Sequence, residues 1–285
     1  MKLTRDFALL TVALLTFSFF GCARPNKTVM GEAKPAATAP KADTAAATGD
    51  LTVLAAASLS KPFDDLGAEF EKQNPGIKYK GSYAGTQELL AQMESGAKAD
   101  VFASASEEHM SAAVVKKLVR EPKAFATNSL CIAVSPHAAN VTSLKDLAKP
   151  GVKVVVAVEK SPIGKYTRKV LDKIAADKGF GPDVVKGIKA NVKSEETDVK
   201  LVLSRVSLGE ADAGFVYKSD AVSAGDKVRL IEIPGELNVT ASYPLAVCAT
   251  APNPDPAAKF VELVLSQQGQ DILRKYGFQP PGPKK

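Results

Sequence analysis

Tryptophan is absent from the 285-residue sequence, cysteine occurs three times and histidine twice. Three cysteines are too few for a disulfide framework, and they lack the clustering of a zinc ribbon. His109 and His137 have no cysteine or acidic ligand pattern around them, so no set of direct cation ligands is expected. Charge of one sign is also in short supply: 37 basic against 31 acidic residues leave a net charge of +6, spread along the chain. Nucleic-acid binding wants a concentrated basic stripe, and none is present. Gly-rich nucleotide loops of the Walker or Rossmann type are missing, as is a G-x-S-x-G elbow. What remains is an ordinary globular composition, 45% hydrophobic and 24% charged, which excludes a collagen-like or wholly disordered chain.

The N-terminal segment has its own character. Lys2 and Arg5 precede an uncharged apolar run from Phe7 to Phe20. That run is shorter than the roughly 20 residues needed to cross a bilayer core. With its basic start it reads as the apolar region of a secretory signal. It ends in Gly21-Cys22, which resembles a bacterial lipobox, although Phe19 and Phe20 stand where that motif prefers leucine and a small residue. Residues 1–22 are therefore predicted to be a lipoprotein-type signal segment, with Cys22 the acylated residue. Ala23 to Asp50 is Ala, Pro, Thr, Lys and Gly with almost no large apolar side chain. Such a stretch cannot bury enough surface to offset its ordering entropy. It is predicted to be a disordered tether, spanning roughly 30 Å root-mean-square.

From Leu51 onward, apolar runs fit for buried strands alternate with helical periodicities. Strands are predicted at 51–56, 79–83, 99–105, 129–134, 152–158, 213–217, 228–233 and 243–249. Helices are predicted at 61–72, 87–94, 166–176 and 198–208, with two more starting near Asp255 and Gln268. Repeated βα units imply an open, mostly parallel sheet, and the length favours two α/β lobes over one.

One pattern recurs at the strand–helix junctions. Small and hydroxylated residues open the helix after Ala57-Ser58, after Gly85-Thr86, after Ser161-Pro162 and after Glu196-Thr197. Helix starts carry unpaired backbone N–H groups and the positive end of the macrodipole. Several aimed at one crevice form an anion site without a charged side chain. Each alone is ordinary capping. A competing motif is Ser58-Leu59-Ser60-Lys61, which matches the S-x-x-K of penicillin-recognising serine acylases; its K-T-G companion is missing, and Ser219-Asp220-Ala221 only half matches S-D-N.

The junction motifs also carry a family likeness. Leu54-Ala55-Ala56-Ala57-Ser58-Leu59, Tyr83-Ala84-Gly85-Thr86 and Gly96 to Ala105 (GAKADVFASA) resemble the molybdate-binding proteins of bacterial ABC transporters. So do Pro162-Ile163-Gly164 with Tyr166, Gly209 to Ala221 (GEADAGFVYKSDA), Tyr243-Pro244 and Lys275-Tyr276-Gly277-Phe278. The resemblance runs in order through 51–279. It implies an α/β fold of the type II periplasmic-binding-protein class, with lobe 1 made of 51–130 plus 243–285 and lobe 2 of 131–242. It also implies capture of molybdate or tungstate in the inter-lobe cleft, no cofactor and no catalysis, with delivery by a monomer to an ABC permease outside the cytoplasm.

Carried over position by position, the resemblance makes Ser58 and Thr86 hydroxyl and N–H donors, Thr86 standing where the family usually has serine. Ile163 and Val199 would give backbone N–H groups and Tyr217 its phenol. Lys61, Lys160 and Lys165 are read as solvated neighbours. A shell of donors suits a fully deprotonated dianion; hydrogen phosphate also wants an acceptor. Asp198 and Asp220 adjoin shell residues, so that exclusion stays open at this stage, as does sulfate as the alternative ligand. The serine acylase using Ser58 and Lys61 is the alternative of a different class. Cys131 and Cys248 fall in strands that the resemblance places near the lobe crossovers, where they pair or stay free as small buried hydrophobes.

Overall fold

The structure is a computed structural model that describes residues 49–282. The predicted signal segment, Cys22 and nearly all of the predicted tether lie outside the described residues.

The chain opens with β1 (Gly49–Ala56), α1 (Ser60–Gln73), β2 (Ile77–Ala84), α2 (Thr86–Glu94) and β3 (Val101–Ala103). Next come α3 (Glu107–Val115), the long strand β4 (Lys123–Val134), β5 (Val154–Ala157) and α4 (Pro162–Ala176). They are followed by α5 (Pro182–Ala190), β6 (Val192–Glu196), α6 (Val199–Ser207), β7 (Ala213–Tyr217) and α7 (Lys218–Ala224). The last elements are β8 (Arg229–Glu232), β9 (Thr240–Val247), α8 (Pro254–Leu265) and α9 (Gln267–Lys275).

The strands run in the order β2-β1-β3-β9-β4-β7-β5-β6, with β8 on the other side of β4. β1 is parallel to β2 and β3, and β5 is parallel to β6 and β7. Antiparallel pairing is confined to contacts made by β4 and β9. β4 changes partners along its length: Lys123 to Ser129 pair with β9, and Leu130 to Val134 pair with β7 and β8. The two parallel groups are thus joined through β9 and the continuous strand β4.

Burial explains the pattern. β5 and β7 are buried at every position, so they read as uninterrupted apolar runs. α4 buries Ile163, Thr167, Val170, Leu171 and Ile174, one stripe at helical spacing. Phe260 of α8 is met by Phe63, Phe70 and Tyr79, with ring centroids 5.5–5.8 Å away. Tyr243 of β9 meets Phe125, Tyr217 and Phe278 at 6.3, 5.7 and 5.2 Å, linking strands β4, β7 and β9.

Sequence periodicity missed α3, α5, β6 and α7 and started β4 six residues late. The first part of β4 alternates irregularly because its register on β9 shifts between Ala124 and Ala126, and that bulge breaks the period-2 signal. α3 does carry a cap: Ser106 Oγ accepts the His109 N–H at 3.4 Å, with Glu107 and Glu108 in the first turn. The cysteines are free and buried. Cys131 follows the partner switch in β4, whereas Cys248 lies beyond the far end of β9, packed with Leu54 and Phe102 in a separate core cluster. Only one of the pair is therefore close to a crossover.

Candidate functional site

Ser58, Thr86, Ile163, Val199 and Tyr217 line one pocket, each no more than 3% exposed. Ser58 sits in a 3-10 turn (Ala57–Leu59) directly after β1. Thr86 is the first residue of α2, Val199 the first of α6, and Ile163 the second of α4. Tyr217 ends β7. The residues therefore come from both parallel groups of the sheet. The cavity between them is about 20 Å³, far below the roughly 300–1,000 Å³ of pockets for drug-sized ligands. It suits an ion of a few atoms.

The helix starts direct particular donors inward because their neighbours are already engaged. In α4, Pro162 has no N–H. Ser161 Oγ accepts from the Gly164 N–H at 3.1 Å and donates to the Val158 carbonyl at 2.8 Å, and the Ser161 carbonyl accepts from the Lys165 N–H at 3.0 Å. The Ile163 N–H is left over. In α6, Asp198 Oδ1 accepts from the Lys200 and Leu201 N–H groups at 2.7 and 3.1 Å, while the Asp198 carbonyl takes the Val202 N–H. The Val199 N–H is left over. In α2, the Gly85 carbonyl accepts from Glu88 and Leu89, leaving the Thr86 N–H free of the helix ladder. Gly164 fixes the approach of α4 to the strand it follows: a Cβ there would lie 1.9 Å from the Val158 carbonyl oxygen.

The hydroxyls are set up as donors too. Thr86 Oγ1 accepts from the Ala105 N–H at 3.2 Å, which turns its own proton elsewhere. Ser58 Oγ lies 3.1 Å from the Tyr243 hydroxyl. The Tyr217 hydroxyl is buried with no hydrogen-bond partner. A polar group left so inside a protein costs free energy unless a ligand meets it. Burial, and then the neighbouring Tyr243, Tyr166 and Asp220, push the Tyr217 phenol well above its ordinary pKa. Burial does the same for Tyr243. Both stay protonated, and so able to donate, throughout the physiological range.

Acceptors are scarce. Asp198 is the carboxylate on the pocket wall, and its Oδ1 is occupied in capping α6. Lys61, Lys160 and Lys165 do not line the pocket. Lys165 pairs with Glu108, and Lys61 donates to the Ser223 carbonyl on the rim of a different depression. Ser58 and Lys61 are thus engaged with separate partners, which is not the nucleophile–base contact an acylase requires. Among the described residues no group of three or more His, Cys, Asp or Glu side chains is placed to hold a metal ion.

Sequence reasoning named the supporting residues Ser161 and Tyr243 but gave neither a role in the site. Ser161 was legible as a cap before Pro at the first helical position. Tyr243 stands in the Tyr243-Pro244 motif, but it is far from Ser58 in sequence and no local signal marks their contact.

Residues 51–279 match the bacterial extracellular solute-binding protein family. The chain is 38% identical over 233 residues to the molybdate-binding protein of Mycobacterium tuberculosis H37Rv, covering 81% of this chain and 85% of that one. The structure resembles the Azotobacter vinelandii periplasmic molybdate-binding protein, with a TM-score of 0.71 at 20% identity, over 81% of this chain and all (100%) of the other. It also resembles the sulfate-binding protein SubI of Mycobacterium tuberculosis H37Rv, with a TM-score of 0.70 at 20% identity, over 82% of this chain and 88% of the other. At those identities the two structures establish the fold and leave the anion to the site.

Proposed function

Because this chain belongs to the bacterial extracellular solute-binding protein family, we propose that it captures molybdate, and tungstate with it, for delivery to an ABC permease. The observation that carries this reading is the convergence of Ser58, Thr86, Ile163, Val199 and Tyr217 on one small pocket, with the Tyr217 hydroxyl unpartnered inside it. A tetrahedral dianion offers only acceptors, and this wall offers donors. The 38% identical relative carries the name of a molybdate-binding protein, which favours molybdate over sulfate. The protein binds and releases its ligand unchanged; the separate partners of Ser58 and Lys61 support a binder over a serine acylase.

Each hydrogen bond to a charged ligand contributes about 1.5–3 kcal/mol. Removing one should weaken molybdate binding roughly 10- to 150-fold. Calorimetric titration of Ser58→Ala, Thr86→Ala and Tyr217→Phe should each give a loss in that range, and Ile163→Val, which keeps its N–H, much less. Unchanged affinity in all three hydroxyl variants would remove the proposed shell.

The two parallel groups act as lobes, 51–130 plus 243–285 and 131–242, that close on the anion. The change of partner between Ser129 and Leu130 supports a division there. So do contacts that span the two groups: Gln87 Nε2 donates to the Thr197 carbonyl at 2.8 Å, and Lys165 pairs with Glu108. A ligand shifts such an equilibrium only by its differential affinity for the closed state. Saturating molybdate should reduce the radius of gyration in small-angle scattering; superimposable curves with and without ligand would argue against closure.

A lipid on Cys22 would hold the folded part near its permease. The apolar run ending in Gly21-Cys22 and the Ala/Pro/Thr stretch after it support this reading. Mass spectrometry of the membrane fraction should find a diacylglyceryl-modified Cys22 as the mature N-terminus. An unmodified mature protein beginning elsewhere would contradict it.

A further inference from the structure

A carboxyl group is buried beside the proposed oxyanion pocket. Asp220 lies in the first turn of α7, the helix that begins just after Tyr217, and is 0% exposed. Its counter-charge is the Lys200 ammonium, 3.0 Å from Oδ1, and neither carboxylate oxygen has a further partner. Lys200 is the residue after Val199 on α6, and Asp220 lies three residues after Tyr217, so each member of the pair is close in sequence to a pocket donor. Around Asp220 the charged and titratable groups are Lys200 and the cap residue Asp198 from α6, Tyr217 from β7, Tyr243 from β9 and Cys131 from β4. Lys200 is the cation among them. Burial holds the Asp220 carboxyl above its ordinary pKa, and the Lys200 ammonium offsets part of that rise.

Unbalanced, that carboxylate would repel a bound dianion through a medium with little water to screen it. Removing one partner of a buried pair leaves an uncompensated charge. We propose that Lys200 is a positioning residue of the oxyanion pocket: by pairing with Asp220 it cancels the buried negative charge behind Tyr217. This rests on the reading of the pocket as an oxyanion site. Lys200 acts through Asp220 and needs no contact with the anion. Its role differs from that of Lys61, Lys160 and Lys165, which stand off the pocket wall.

The sign of the pH effect follows. In Lys200→Met the carboxyl of Asp220 has lost the cation that lowered it, and its pKa rises further. Where that carboxyl is protonated, the pocket is unopposed. As pH rises through its raised pKa it ionises and binding falls.

Calorimetric titration with sodium molybdate at pH 6, 7.5 and 9 tests this, using the full chain and the variants Lys200→Met, Asp220→Asn and the double variant. The wild type should bind with little pH dependence. Lys200→Met should weaken by roughly tenfold or more between pH 6 and pH 9. Asp220→Asn and the double variant should bind at least as tightly as the wild type, without that slope. No binding by the wild type would overturn the oxyanion reading itself. Wild-type binding with a flat, unweakened Lys200→Met profile would overturn only the role given to Lys200. Should Lys200→Met fail to fold, Asp220→Asn decides: a purely structural bolt predicts that it weakens binding, and that result would contradict the proposal.

Discussion

The site depends on backbone N–H groups that their own helices cannot satisfy. An α-helix leaves its first N–H donors without intrahelical partners. In α4 and α6 the cap residues Ser161 and Asp198 take the neighbouring donors, so the leftover ones are Ile163 and Val199. Those two reach the same small pocket as Thr86 and Ser58. The side chains at 163 and 199 are apolar, and their identity is secondary to the position of the chain. Gly164 shows how tightly that position is held, because a single added carbon would strike the Val158 carbonyl.

The remaining architecture keeps these starts in place. β4 pairs with β7 on one side and, through β9, reaches β3, so both sides of the pocket hang on the same pair of central strands. Tyr243 packs between Phe125, Tyr217 and Phe278 and brings its hydroxyl to Ser58, joining the aromatic core to the polar wall. The buried phenols remain protonated because burial disfavours the phenolate. The wall is therefore rich in donors and poor in acceptors, and its neutral donors do not depend on pH near neutrality.

Much of this was legible in the sequence where the signal is local. β5 and β7 are uninterrupted apolar runs because both faces are buried, and the stripe of α4 follows the helical period. Helix starts announce themselves through Ser, Thr, Gly and Pro, which is why the junctions at Ser58, Thr86 and Ile163 could be read before any coordinates. What was hidden is non-local. The bulged half of β4 loses its alternation by pairing irregularly with β9. The Ser58–Tyr243 contact and the Lys200–Asp220 pair join residues that only the folded chain brings together. Cys248 was assigned to a crossover and lies at the far end of its strand, since strand membership says nothing about which end faces the junction.

Choice among oxyanions is where the account is most exposed, because a sulfate-binding protein shares the fold at a TM-score of 0.70. The wall described above rewards a ligand with acceptors on every corner and penalises one that carries a proton. The most direct measurement is calorimetric titration of the wild-type protein with molybdate, tungstate, sulfate and phosphate in one buffer at neutral pH. Molybdate and tungstate should bind most tightly, sulfate more weakly and phosphate least. Tighter binding of sulfate or phosphate than of molybdate would contradict the account.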